Sequence, residues 1–336
     1  MNRFAIVSAL AAAVFAFAGV SQAASLKISH VRPEGATIDK ELRTFASEVD
    51  AATGGDVTVR LYPASALGDY TTVQERISIG AVDMAVQPAA TGVERRMQIS
   101  ALPYLANNWE HAREIYGPGG AVREAMADLY AKQDIRMLAA YPVYFGGISL
   151  NREPVAPGEV GVDKGIKVRV PGIKSFQLLA ESLGYIPSPI PFSDAFTAVQ
   201  TGVVDGVIGS GAEGYYASFR DVTETYIPMN THFEVWYMII SEMSFQDLSA
   251  ANRQKLAETA QQFEARRWEA AKADQAANEQ KLADYGASIV EISDAQLAAA
   301  AEKVRAEVWP VIFQDIGEDW LRGVLSGTGA LSGMSQ

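Results

Sequence analysis

The feature that most constrains this chain is that it repeats itself. "LKISHVRP" alternates like a strand up to Pro33, and Leu42, Phe45, Ala46 and Val49 then form a helical stripe at i, i+3, i+4 and i+7, stopped by Gly54 and Gly55. The strand "VTVRLYP", the polar-faced helix "DYTTVQERISIG" and the strand "AVDMAVQP" follow. From residue 166 the order returns. "IKVRVP" leads to a stripe of Phe176, Leu179, Ala180 and Leu183 before Gly184, and then come "YIPSPIP", the helix "SDAFTAVQTG" and the strand "VVDGVIGS". The tightest local match sets Gly80-Ala81-Val82-Asp83 against Gly202-Val203-Val204-Asp205. Two β-α-β-α-β units predict an α/β fold of two similar domains with a cleft between them. Right-handed crossovers gather the strand C-termini on one edge of each sheet, where ligands of open α/β sheets bind.

The remaining segments fit around this duplication. "NNWEHAREIYGPGGAVREAMADLYAKQ" holds two helices broken at Gly117-Pro118-Gly119-Gly120, and "IRMLAAYPVYFGGISLN" is a long strand bent at Gly146-Gly147, where the chain crosses between domains. A second crossing is expected near "FEVWYMIIS". After it, Ser249 caps a polar, Ala-rich helix running to about Asp284, long enough to lie across both domains. Ser293 with Gln296 forms a capping box for a last helix that Pro310 kinks or ends. The expected division is 1–23 as a signal peptide, 24–145 with about 236–275 as the first domain, and 146–235 with about 276–336 as the second.

The first 23 residues carry one early charge at Arg3, an apolar stretch from Phe4 to Val20, and the small residues Ser21 and Ala23 at a cleavage site. That is the pattern of a secretory signal peptide, and it predicts an exported protein located in the periplasm. No later segment reads as a membrane span. The formal net charge of −12 speaks against nucleic acid, and the absence of cysteine suits an oxidising compartment.

Gly209, Gly211 and Gly214 stand at the spacing of the dinucleotide fingerprint G-x-G-x-x-G, and Glu234 follows about 20 residues on, where a ribose hydroxyl would want an acid. The context is wrong for that reading. The motif follows the third strand of its unit rather than the first, and "YYASFRDVTETYIP" after it leaves room only for a short helix. The glycines are better read as a strand-end loop that lets a ligand or the facing domain approach the backbone. No cofactor or metal is expected.

"PASALGDYTTVQERISIGAVDMAV", "GIKVRVPGIKSFQLLAESLGYIPSPIPFSDAFTAVQTGVVDG" and the helix after "SEMSFQDLSAANRQKLAETA" resemble the extracytoplasmic solute-binding proteins of tripartite ATP-independent periplasmic (TRAP) transporters, over nearly the whole chain. The resemblance implies a periplasmic-binding-protein-like clamshell with a long helix spanning both domains. It also implies a small organic-acid ligand closed between them and the membrane subunits of a TRAP-type transporter as partner. Arg169 in "KVRVP" matches the family's carboxylate-holding arginine, a role that suits the planar guanidinium fork. Phe192 in "PFSDAF" matches a pocket-wall aromatic. The family's "DGQEN" is "DGVIG" here, with Gly209 in place of a ligand-binding Asn, and the second arginine borne by many members falls at Gly146 or Gly147. These departures point away from a sialic acid or a typical sugar acid. Further candidates on the cleft edges are His30, Arg32, Gln87, Tyr144, Ser210, Glu213, Tyr215 and Trp236, with Glu213 able to accept an amino or hydroxyl group.

Two other classes share some of these features. The receptor of an ABC-type importer has the same architecture, but the long helix and the "RVP" and "QTGVVDG" stretches argue against it. A secreted enzyme lacks support: His30, His111 and His232 have no metal spacing, no nucleophile elbow surrounds Ser210, and there is no cysteine.

Overall fold

In the computed structural model, which describes residues 23–331, the two repeats become two sheets. The first repeat supplies β1 (Ala24–Ser29), β2 (Val57–Tyr62) and β3 (Met84–Gln87), and β4 (Ile135–Phe145) and β5 (Gly147–Leu150) follow it. The second repeat supplies β6 (Lys167–Val170), β7 (Ile186–Pro189) and β8 (Gly206–Ser210), succeeded by β9 (Thr225–Ile227), β10 (Phe233–Ser241) and β11 (Ser288–Ile289). Strand order is β2-β1-β3-β10-β4 in one sheet and β11-β9-β5-β8-β6-β7 in the other. Each repeat therefore gives a parallel triplet with its first strand in the middle. Each triplet is then extended by an antiparallel strand from outside its own repeat, β10 beside β3 and β5 beside β8.

The symmetry reaches single hydrogen bonds. Gly80 and Gly202 end their helices at φ 72° and 73°, a left-handed conformation that favours glycine. The next N–H in each copy closes the helix end, Ala81 to the Arg76 carbonyl at 2.8 Å and Val203 to the Ala198 carbonyl at 2.9 Å. The aspartate three residues after each glycine then accepts a backbone N–H from the neighbouring first strand. Lys27 donates to Asp83 at 2.8 Å and Lys167 to Asp205 at 3.1 Å. The helical stripes do the matching work inside: Leu42, Phe45 and Val49 are buried in one lobe, Phe176, Leu179, Ala180 and Leu183 in the other.

The chain passes between lobes at two places. Between β4 and β5 lies only Gly146, and a Cβ there would fall 2.2 Å from the His232 ring, so the joint requires glycine. The return runs from β9 into β10, which pairs antiparallel with β4 from Phe233–Phe145 to Ser241–Ile135. The long helix Ala250–Tyr285 is capped by Ser249, which accepts the Asn252 N–H, and it bridges the lobes. Near its start Phe263 packs on Phe45 and Tyr141 of the first lobe; near its end Leu282 joins Val207 and Tyr226 of the second. The last long helix, Asp294–Ile316, opens on the capping box of Ser293 and Gln296 and does not end at Pro310. Buried Trp309, Ile312 and Phe313 hold it on both sides of the proline, and the Trp309 indole donates to the Pro103 carbonyl at 2.9 Å. Among the described residues no helix is long and apolar enough to cross a membrane. The expected signal peptide lies outside the described residues but for its last position, Ala23.

Because the two aspartates play one role in two copies, Asp83→Ala and Asp205→Ala should each lower stability, by about 1–2 kcal/mol. Urea denaturation checks this, and an unmoved midpoint in either variant would refute the shared role.

Candidate functional site

The C-terminal ends of β1, β3, β6 and β8 face one another across a small cavity that is partly continuous with solvent. The first lobe contributes Arg32, Tyr70 and Gln98, and the second Arg169, Pro171, Phe176, Phe192 and Gly209. The crossing strands β4 and β10 form the floor through Tyr144, Glu234 and Trp236.

Two buried arginines stand in this cavity in opposite states. Arg32, just past β1, reaches over to Glu213 just past β8. Its Nε donates to both carboxylate oxygens, at 3.1 and 2.9 Å, while Nη2 lies 2.7 Å from Oε2 but off the hydrogen-bond axis. The guanidinium also lies 4.8 Å from the Trp236 ring and 5.2 Å from that of Phe192. Burial alone would loosen the Arg32 proton, but the Glu213 carboxylate more than reverses this and raises its pKa. Arg169 is the last residue but one of β6, and its Nε donates to the Ile190 carbonyl at 2.8 Å. Among the described residues it forms no ion pair, although it is only 1% exposed, and burial pulls its pKa below the ordinary value. A desolvated cation without a counter-ion is stabilised by whatever anion enters.

A carboxylate belongs to the same cavity. Glu234 accepts the Trp236 indole N–H at 2.6 Å on one oxygen, and its other oxygen lies 3.0 Å from His232 Nε2. The remaining ring nitrogen of His232 lies 3.0 Å from the Thr231 hydroxyl, so a chain of buried groups fixes the direction of Glu234. Tyr70 stands in the field of both charges: burial pushes its pKa up to about 12, Arg169 opposing the rise and Glu234 adding to it.

The glycine motif has a steric role. A Cβ on Gly211 would lie 2.5 Å from the Tyr144 ring, and one on Gly214 would lie 2.1 Å from Ser210 Oγ and 2.5 Å from Arg32 Nη2. Gly209 takes φ 97° with Pro171 packed against its α-carbon. The motif ends in the single turn Ala212–Gly214, and only the short, irregular helical turns Tyr215–Phe219 and Arg220–Val222 follow it. Gly211 and Gly214 let the facing lobe seat Tyr144 and Arg32 against the strand end, and the helical turns after the motif are too short to hold a pyrophosphate.

Of the residues expected from sequence, Arg32, Tyr144, Arg169, Phe192, Gly209 and Trp236 come together around the cavity. Five are turned elsewhere. His30 pairs with Asp39 at 3.2 Å, and Gln87 donates to the Tyr70 carbonyl at 2.7 Å. Ser210 bonds the Tyr144 hydroxyl, the Tyr215 hydroxyl donates to the Gly147 and Val207 carbonyls, and Glu213 is taken by Arg32. The amino- or hydroxyl-accepting role expected of Glu213 is therefore not open to it while this pair holds. Sequence reasoning missed Tyr70, Gln98, Phe176 and the cavity role of Glu234. The last carried a signal, as a charged residue inside the otherwise uncharged run "FEVWYMIIS". Gln98 carried none, because it sits on the short 3-10 helix Arg95–Ala101 and is placed by accepting the Ser175 N–H across the lobes at 3.3 Å.

Two lobes joined by crossing strands, with a charged cavity at the facing strand ends, define a two-domain solute receptor. Residues 28–314 match the bacterial extracellular solute-binding protein family 7, DctP, and the chain belongs to that family, the receptors of TRAP transporters. A solute-binding protein of Roseobacter denitrificans is 26% identical over 328 residues, covering 93% of this chain and 98% of its own. The crystal structure of an extracytoplasmic solute receptor of Bordetella pertussis that binds pyroglutamic acid is similar with a TM-score of 0.81, at 25% identity, over 91% of this chain and 99% of that one. A TRAP periplasmic solute-binding protein of Roseobacter denitrificans with bound L-galactonate shares the fold, with a TM-score of 0.77 at 23% identity over 89% and 99% of the two chains.

Because Arg32 and Glu213 belong to different lobes, removing one partner should cost the closed arrangement about 3–5 kcal/mol by stranding the other charge. Arg32→Met and Glu213→Gln alone should each expand the radius of gyration in small-angle scattering, and the double variant Arg32→Met with Glu213→Met should lie nearer the wild type. Scattering curves for the single variants that superpose on the wild type would show that this pair does not tie the lobes.

Proposed function

We propose that the protein is a periplasmic receptor that closes its two lobes on a small organic acid, holds the acid's carboxylate on Arg169, and delivers it to the membrane subunits of a TRAP-type transporter. The observation that carries this reading is Arg169 itself: a buried guanidinium in the inter-lobe cavity, held through Nε by the Ile190 carbonyl, with no ion pair among the described residues. A carboxylate would supply both the counter-charge and two parallel acceptors for the guanidinium fork. Phe192, whose ring lies 5.7 Å from Arg169, is the wall against which the acid lies. Relatives that bind pyroglutamic acid and L-galactonate support an acid as the ligand.

In this reading the lobes, 24–145 with about 236–275 and 146–235 with the remainder, turn about the β4–β5 and β9–β10 crossings and the long helix. Export removes residues 1–23, and the receptor performs no chemistry on its ligand. Terminal sequencing of protein recovered from the periplasm should begin at Ala24; recovery with Met1 in the membrane fraction would contradict the cleavage.

The carboxylate anchor is tested by screening small organic acids for a raised melting temperature and measuring the affinity of the best by calorimetry. Arg169→Ala should lose about 3–5 kcal/mol of binding, or roughly two to three and a half decades, while still folding. Arg169→Lys should recover only part of the loss, because a point charge cannot reproduce the bidentate geometry. Wild-type affinity in Arg169→Ala would end the carboxylate-anchor reading.

A further inference from the structure

The cavity holds charge of both signs. We infer that the ligand is a small zwitterion, a carboxylic acid that also carries a protonated nitrogen, with its carboxylate on Arg169 and its ammonium on Glu234. This rests on the Arg169 reading above and adds to it the second pole of the ligand.

Charge must balance in a desolvated space. Arg32 and Glu213 neutralise each other across the lobes. What remains in the cavity is one guanidinium without an ion pair, Arg169, and one carboxylate, Glu234. Glu234 is 7% exposed, and its two fixed neighbours are the Trp236 indole and the His232 imidazole, which lies 3.0 Å away and is a counter-charge only when protonated. These use one acceptor site on each oxygen and leave the other lone pairs for the ligand. A plain anion would satisfy Arg169 and meet repulsion from Glu234. A zwitterion completes both poles at no net charge, and its ammonium would also face the rings of Trp236, Tyr70 and Tyr144 in the same cavity. The backbone direction supports the division of labour. Arg169 and Glu234 come from different sheets, β6 of one and the crossing strand β10 of the other, so a ligand that spans them is held by both sheets.

The test uses matched acids that differ only in nitrogen, read by thermal shift and calorimetry on the full mature chain. Alanine, proline, β-alanine and γ-aminobutyrate, which vary the spacing between the poles, are compared with propanoate, cyclopentanecarboxylate and butanoate. Lactate and gluconate form a third arm of hydroxy acids. At least one amino acid should bind about tenfold or more tightly than its nitrogen-free counterpart. Glu234→Gln should erase that preference by weakening the amino acid and sparing the plain acid, whereas Arg169→Ala should weaken both. A wild-type protein that binds plain or hydroxy acids as well as or better than the amino acids overturns the zwitterion and leaves the carboxylate anchor standing. Binding by none of the three arms counts against both. The wild-type ratio decides the matter even if Glu234→Gln does not fold, and an unchanged ratio in a folded Glu234→Gln overturns the assignment of the ammonium to that residue.

Discussion

Everything in this molecule depends on an exchange of strands. Each repeat builds a parallel triplet, but β3 needs β10 beside it and β8 needs β5, and both partners come from outside the repeat they complete. Unpaired, those strands would present bare backbone donors and acceptors along a buried edge, which a folded domain does not tolerate. Neither lobe can therefore finish its sheet alone, and the chain must cross between them. The crossings run past the facing strand ends, so the connection between lobes and the floor of the cavity are the same piece of backbone. Tyr144, His232, Glu234 and Trp236 all lie on or immediately before the crossing strands. A ligand that touches them touches the part of the structure that relates one lobe to the other.

The polar groups of the cleft sort by partner rather than by residue type. Arg32 and Arg169 are equally buried, yet one is neutralised from the opposite lobe and the other is held by a carbonyl. Glu213 and Glu234 divide in the same way. The first is consumed in tying lobe to lobe, and the second is pinned by an indole and an imidazole beside the cavity. Glycines make the first pair possible, since any side chain on Gly211 or Gly214 would push Tyr144 or Arg32 away from the strand end. Two glycines of the spacing that looks like a nucleotide fingerprint, Gly211 and Gly214, thus answer to close approach between lobes, and the third, Gly209, to its left-handed φ and the packing of Pro171 in its own lobe.

The local order of the fold was legible because it rests on short-range rules. Stripes at i, i+3, i+4 and i+7, helix-ending glycines and the caps at Ser249 and Ser293 act within a few residues, and the duplication shows in the residue order itself, at Gly80–Asp83 and Gly202–Asp205. Pro310 shows where such a rule yields. A proline disfavours helix continuation by a fixed local cost, but buried neighbours on both sides outweigh it and the helix runs on to Ile316.

The sequence by itself determined two α/β repeats, the bridging helix, and Arg169 at a strand end on the cleft edge. Only the tertiary structure decided which polar residues on that edge are available. His30, Gln87, Ser210 and Tyr215 sit at the right strand ends, but each finds a protein partner nearby in space. Glu213 finds Arg32, 181 residues away, and leaves Glu234 as the acid that lines the cavity. The physical reason is that periodicity fixes which face of an element a side chain takes. Its free valences are fixed by groups the fold brings beside it, from the same lobe for His30, Gln87 and Tyr215 and from the other lobe for Ser210 and Glu213, and no local pattern encodes that pairing.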